Sequence, residues 1–102
     1  MFIGRSNRRY MNEVKKHLVI SGRVQGVGFR AFVLRNAMGL NIKGWVRNTY
    51  NDQVEVVICG NKTAINKMLL QLKKGPRWAS VEKVNVISNS VEEEFTQFRI
   101  RS

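Results

Sequence analysis

The stretch "HLVISGRVQGVGFRAFVLRNAMGL", residues 17–40, changes its hydrophobic period at the glycines in its middle. Residues 17–22 are rich in β-branched side chains and end in glycine, a pattern that predicts a β-strand. Apolar side chains recur at helical spacing over residues 29–40, and Gly39 suits the end of a helix. This part of the chain is therefore predicted to form a strand, a glycine-rich turn and a helix.

The middle of the chain predicts a hairpin and a second helix. Two strands are expected over residues 42–48 and 53–60, joined by a short link that contains the turn-forming pair Asn51 and Asp52. Asn61 can cap the following helix, which Gly75 and Pro76 then end.

Two more strands are predicted over residues 80–87 and 95–101. The order is then β-α-β-β-α-β with a final edge strand, which is the ferredoxin-like split βαβ arrangement of the α+β class. Two right-handed crossovers place both helices on one face of an antiparallel sheet. This fold hosts enzymes, RNA binders and metal carriers, so it does not settle the function.

Length and charge limit the possibilities further. A chain of 102 residues, 43% of them hydrophobic, suits one soluble domain. Residues 1–16 hold five Lys/Arg against Glu13 alone and show no sustained period, so we expect a flexible basic tail followed by a domain at residues 17–102. The formal net charge of +11 implies anionic partners, but it does not choose between phosphate metabolites, nucleic acid and membranes.

Cysteine and histidine are nearly absent from the sequence. Cys59 is the single cysteine, so no internal disulfide is possible and a cytoplasmic setting is expected. His17 is the single histidine, and no cluster of metal-ligating residue types is apparent, so we expect neither a metal nor a cofactor. No apolar run approaches the roughly 20 residues of a membrane-spanning helix, and no membrane partner is expected.

The turn "GRVQGVGFR", residues 22–30, is a candidate anion site. The first amides of a helix lack intrahelical partners and point together with the positive end of the helix dipole. Glycines let the preceding loop curl so that more N–H groups converge, and Arg30 can bind two phosphoryl oxygens at once. A plain tight turn with an exposed arginine is an equally good interpretation of this turn taken alone.

Asn48 is the second candidate residue. An asparagine near the end of a strand is usually a turn former. In the predicted sheet, however, the first and second strands lie on opposite sides of the third. The end of the second strand then reaches the end of the sheet where the first helix begins, and Asn48 is expected near the glycine turn.

The segments "GRVQGVGFR" and "GWVRNTYNDQVEV", in this order and spacing, closely resemble the two signature segments of the acylphosphatases. "GPRWASVEKV" resembles the segment after the second helix of that family, and "FTQFRIR" resembles its closing strand. The likeness covers residues 17–101. One departure is the hairpin, where Asn51 and Asp52 replace a frequent Asp-Gly pair, which leaves the turn geometry open.

The resemblance implies metal-independent hydrolysis of small acyl phosphates to a carboxylate and inorganic phosphate. It also implies that inorganic phosphate is a product and competitive inhibitor, and we expect a monomer. Arg30 and the loop backbone would hold the phosphate, while Asn48 would orient the attacking water. The loop residues implied in phosphate binding are Gln25, Gly26, Val27, Gly28, Phe29 and Arg30.

Two alternatives remain open at this point. The fold and the charge also suit a module that binds RNA or another polyanion, although residues 53–60 lack the aromatic side chains of an RNA-recognition strand. Nucleic acid is for this reason not the expected partner. A related domain that binds acyl phosphates without turnover is the other alternative.

Overall fold

Within the part of the chain that the structure describes, seven elements follow one another in the predicted order. The computed structural model describes residues 13–102, and within them the β-α-β-β-α-β order and the ferredoxin-like α+β fold are confirmed. The elements are β1 (Glu13–Arg23), α1 (Phe29–Gly39), β2 (Lys43–Asn48), β3 (Val54–Asn61), α2 (Lys62–Lys74), β4 (Ser80–Ser88) and β5 (Phe98–Ile100).

The sheet has the strand order β4-β1-β3-β2-β5. As predicted, β1 and β2 lie on opposite sides of β3, and each pairs with it in antiparallel fashion. β1 and β2 therefore run in the same direction, and their C-terminal ends meet at one end of the sheet. This direction brings the loop after β1 and the last residue of β2 to the same end of the molecule.

The prediction of a purely antiparallel sheet is wrong at the last strand. β5 pairs with β2 in parallel, so the five-stranded sheet is mixed. The strand covers three residues, whereas the pattern predicts a strand over residues 95–101. β4 and β5 form opposite edges of the sheet, so the chain must cross from one edge to the other between them. Residues 89–97 form this connection, and residues 95–97 are therefore not part of the strand.

The first strand begins earlier than predicted. β1 starts at Glu13, and its first residues pair with the end of β3, where Glu13 lies opposite Asn61. Residues 13–16, which we assigned to the basic tail, thus lie in the sheet. The charged side chains of Lys15 and Lys16 interrupt the hydrophobic pattern, so the sequence does not indicate a strand here. The strand forms because its backbone pairs with β3. The remaining part of the predicted tail lies outside the described residues.

The core forms between the helices and one face of the sheet. On β1, Leu18 and Ile20 are fully buried, and they pair with β3 residues that are also buried. α1 contributes three buried side chains to this cluster, and α2 contributes four. Alternate side chains of β1 and β3 thus point to the same face of the sheet, and this face packs against both helices. The core residues on the two helices are Phe29, Val33, Ala37, Ala64, Ile65, Met68 and Leu72.

α2 has the predicted ends. The Asn61 side chain accepts a hydrogen bond from the Ala64 amide at 2.8 Å, which confirms the N-cap. Gly75 ends the helix, and Lys73 and Lys74 lie in its last turn, where positive charge stabilises the helix. No helix within residues 13–102 is long and apolar enough to cross a bilayer.

The hairpin turn forms without a glycine. Asp52 takes a left-handed conformation with φ 63°, which aspartate tolerates better than most residues. The Thr49 amide donates to the Gln53 carbonyl at 2.9 Å and closes the turn. The replacement of Asp-Gly by Asn-Asp therefore leaves a closed hairpin.

A polar cluster occupies the sheet face that is turned away from the helices. Trp45 is only 9% exposed, with the guanidinium groups of Arg47 and Arg101 over its ring. Burial raises the pKa of Glu55, but hydrogen bonds from Arg47 and His17 outweigh this effect and hold that pKa below its usual value. His17 also packs against Trp45, edge to face, so both rings belong to this cluster.

Gly22, the first glycine of the motif, is required by the packing of two strands of the sheet. Gly22 has φ 122°, and a Cβ atom at this position would lie 2.2 Å from the carbonyl oxygen of Ser80 on β4. Close approach of two strands thus excludes a side chain here. Gly39, at the end of α1, is different, because a Cβ atom there would meet nothing within 4 Å.

We predict different effects of alanine on stability at these two glycines. Gly22→Ala should lower the free energy of unfolding by about 2 kcal/mol, since it forces β1 and β4 apart. Gly39→Ala should leave it unchanged or raise it by up to about 1 kcal/mol, because alanine restricts the unfolded chain. Urea unfolding of both variants tests this contrast. Equal stability of the two variants would contradict the packing role of Gly22.

Candidate active site

The loop between β1 and α1 exposes its backbone at two glycines. Gly26 and Gly28 have φ 72° and 78°, a left-handed conformation that glycine adopts without strain. A Cβ atom at either position would meet nothing within 4 Å. The conformation therefore favours glycine, and the space beside the backbone stays accessible.

The start of α1 adds unpaired amides to this loop. Gly28 is the N-cap, and Phe32 is the first residue whose amide donates back to it, at 3.0 Å. The amides of residues 29–31 precede the hydrogen bonds of the helix itself. No acidic side chain lies in the first turn of α1. The positive end of the helix dipole is thus available to an anion.

Arg30 is the first charged residue of α1. It is the second residue of α1, its side chain is exposed, and it forms no ion pair within residues 13–102. Phe29 is only 1% exposed and packs in the core, so only its backbone is available to a ligand. The buried aromatic ring holds the helix start in place, and Arg30 projects from it.

Asn48 ends β2 on the sheet face that carries the core. It lies opposite Val54 of β3, two residues after the fully buried Val46. Its Oδ1 atom is buried and accepts no hydrogen bond from any residue that the structure describes. A buried acceptor without a partner costs about 1–3 kcal/mol, so this atom needs an explanation.

One cavity of about 260 Å³ brings most of these groups together. Of the residues predicted for the site, the loop glycines, the helix start, Arg30 and Asn48 all line it. Gln25 and Val27 do not. Val27 packs against the core, and the Gln25 side chain bonds to the hairpin instead. The lining residues are Val24, Gly26, Gly28, Phe29, Arg30, Ala31, Asn48 and Ile100.

Sequence reasoning missed three of the lining residues. Val24 and Ala31 are neighbours of predicted residues and carry no polar group that would single them out. Ile100 lies in β5 and is 43% exposed, and it reaches the cavity because β5 pairs beside β2. Local sequence carries no signal for that contact.

The charge of the described residues that line the cavity is entirely positive. Arg30 is the one ionisable side chain among these eight, and none of them is a carboxylate that could act as a general base. Within residues 13–102 no group of three or more histidine, cysteine, aspartate or glutamate side chains could hold a metal ion. The cavity is thus suited to an oxyanion.

A larger cavity of about 580 Å³ lies at the opposite end, between the end of α1 and the start of α2. Lys62 and Lys67 line it, but its helix start is already capped by the side chain of Asn61. It contains neither an arginine nor a buried polar atom without a partner among the described residues. Size alone does not make it the better candidate.

Comparisons with known proteins identify the family of this chain. The acylphosphatase family model matches residues 16–100. The chain belongs to the acylphosphatase family. An acylphosphatase from Moorella thermoacetica is 47% identical over 92 residues, which span 90% of this chain and 98% of that protein. The enzyme is thus a hydrolase of this family.

Solved acylphosphatases have the same fold. The structure of an acylphosphatase from Coxiella burnetii matches with a TM-score of 0.86 and 38% identity, covering 92% of this chain and 98% of that one. An acylphosphatase from Bacillus subtilis matches with a TM-score of 0.81 and 32% identity, covering 87% and 99%. The acylphosphatase resemblance in the sequence is confirmed, while the cytoplasmic location and the monomeric state stay predictions.

Proposed function

We propose that the smaller cavity binds the phosphoryl group of a small acyl phosphate and that this group is hydrolysed there without a metal ion. The observation that carries the proposal is the buried Oδ1 of Asn48, which lacks a partner among residues 13–102, in a residue that lines the same cavity as Arg30. A water molecule beside a bound phosphoryl group would supply the missing donor.

The phosphate is held from two sides in this proposal. Backbone N–H groups of residues 25–30 donate to its oxygens, helped by the dipole of α1. The Arg30 guanidinium donates two further charge-assisted hydrogen bonds. Gly26 and Gly28 support this role, because open space beside their backbone lets an oxyanion approach.

The reaction needs little more than position and charge. A carboxylate leaves readily without protonation, so no general acid is required. The transition state of phosphoryl transfer is loose, and its charge spreads over oxygens that the loop and Arg30 surround. Water attacks phosphorus as the bond to the acyl oxygen breaks, and both hydrogens of the water end on the phosphate product. Asn48 holds that water through its carboxamide acceptor.

We predict that Arg30→Ala weakens phosphate binding and turnover together. The kcat/KM for benzoyl phosphate should fall by about 10³-fold, because an arginine that stabilises transferred phosphoryl charge is worth at least that much. Inorganic phosphate should inhibit the wild type competitively and Arg30→Ala far more weakly. The assay is run with excess chelator, which should leave the wild-type rate unchanged.

Arg35→Ala is the matched control for this experiment. Arg35 is an exposed arginine on the same helix and lies outside the cavity, so its loss changes net charge equally without touching the phosphate. Equal losses in the two variants would mean that general charge, not the position of Arg30, determines activity. Loss of wild-type activity with chelator would contradict metal independence.

We predict a different pattern for Asn48→Ala. The kcat should fall by about 10²- to 10³-fold, since one oriented polar group in a transition state contributes that much. The inhibition constant of inorganic phosphate should stay within about 2-fold, because the loop and Arg30 are intact. Asn85→Ala, at an exposed position of β4, is the control. A near wild-type rate in Asn48→Ala would remove the water-orienting role.

An oligonucleotide binding assay addresses the alternative function. The labelled strand should not be retained at about 0.15 M salt, where nonspecific phosphate contacts are weak. Tight retention together with absent hydrolysis of benzoyl phosphate would instead favour a polyanion-binding module.

A further inference from the structure

We infer that the side chain of Gln25 is a positioning residue, which holds the end of β2 and therefore Asn48 in register with the phosphate loop. The inference rests on the proposed function of Asn48. It assigns to Gln25 a role distinct from the backbone contact expected of it, because its side chain points to the hairpin and not to the phosphate cavity.

The Gln25 carboxamide uses both of its N–H donors on the hairpin. Nε2 donates to the Thr49 carbonyl oxygen at 2.7 Å and to the Gln53 carbonyl oxygen, also at 2.7 Å. These two carbonyls lie at the base of the β2–β3 turn, where the Thr49 amide donates to Gln53. One side chain of the loop is thus fixed at two points to the turn.

The position of these bonds along the chain gives them their significance. Thr49 directly follows Asn48, so the bond to its carbonyl lies one residue from the proposed water-binding side chain. Gln25 directly precedes Gly26, the first glycine that lines the cavity. The hydrogen bond from Gln25 to Thr49 therefore connects the phosphate loop to the end of β2, and each partner is the direct neighbour of a residue that lines the cavity.

The sheet itself does not supply this connection. β1 and β2 are separated by β3, so no hydrogen bond of the ladder joins the strand that leads into the loop to the strand that carries Asn48. A displacement of about 1 Å between reacting groups can cost about 10²-fold in rate. A direct bond from loop to turn limits such a displacement.

A double-mutant cycle tests this role. Gln25→Met keeps the length of the side chain and removes both hydrogen bonds. We expect its kcat for benzoyl phosphate to fall by about 10- to 100-fold, with KM and the inhibition constant of phosphate within about 3-fold. In the Asn48→Ala background the same change should lower kcat by less than about 3-fold, since the group that it positions is already absent.

Gln71→Met on α2 is the matched control, and its kcat should stay within about 2-fold of wild type because Gln71 does not line the phosphate cavity. Gln25→Ala removes the same bonds with a smaller side chain, and unchanged phosphate inhibition reports an intact loop in either variant. If neither variant folds, Gln25 is a residue of the fold and the inference is overturned.

The two proposals fail in different ways. Equal losses of kcat from Gln25→Met in both backgrounds, or a large rise in the phosphate inhibition constant, would overturn the positioning role alone. If Asn48→Ala keeps near wild-type kcat, the water-orienting role of Asn48 has failed, and the inference about Gln25 fails with it.

Discussion

The site depends on the direction of two strands that do not touch. β1 and β2 each pair with β3 in antiparallel fashion, so both must end at the same end of the sheet. The loop after β1 leads into α1, and β2 ends on Asn48. A residue pair separated by 18 positions along the sequence, Arg30 and Asn48, thereby lines one cavity. The strand arrangement brings these two residues close together, and their side chains provide the polar side-chain groups of the cavity.

The cavity contains polar groups that, within the part of the chain that the structure describes, lack the hydrogen-bond partners which such groups usually have in a folded protein. Among residues 13–102, the N–H groups at the start of α1 and the unpaired Arg30 favour a bound oxyanion, and the Oδ1 of Asn48, which lacks a partner there, favours an ordered water. Gly22 differs from the other motif glycines, since it is required by the approach of β4. A single glycine-rich segment thus combines a packing requirement with the proposed phosphate-binding surface.

Much of this structure could be predicted because its signals are local. The change of period after Gly22, the Asn61 cap and the glycine at the end of α2 define elements from neighbouring residues alone. The start of β1, the parallel pairing of β5 and the contribution of Ile100 could not be predicted in this way, since each depends on a partner distant in sequence. The bonds of Gln25 to the hairpin belong to the same class.

A titration of ¹⁵N-labelled protein with inorganic phosphate, followed by ¹H–¹⁵N NMR, tests the central claim most directly. The account predicts that the largest shift changes occur at the amides of Gly26, Gly28 and Arg30 and at the side-chain amide of Asn48. Changes confined to residues 61–64, beside the larger cavity at the start of α2, would contradict it.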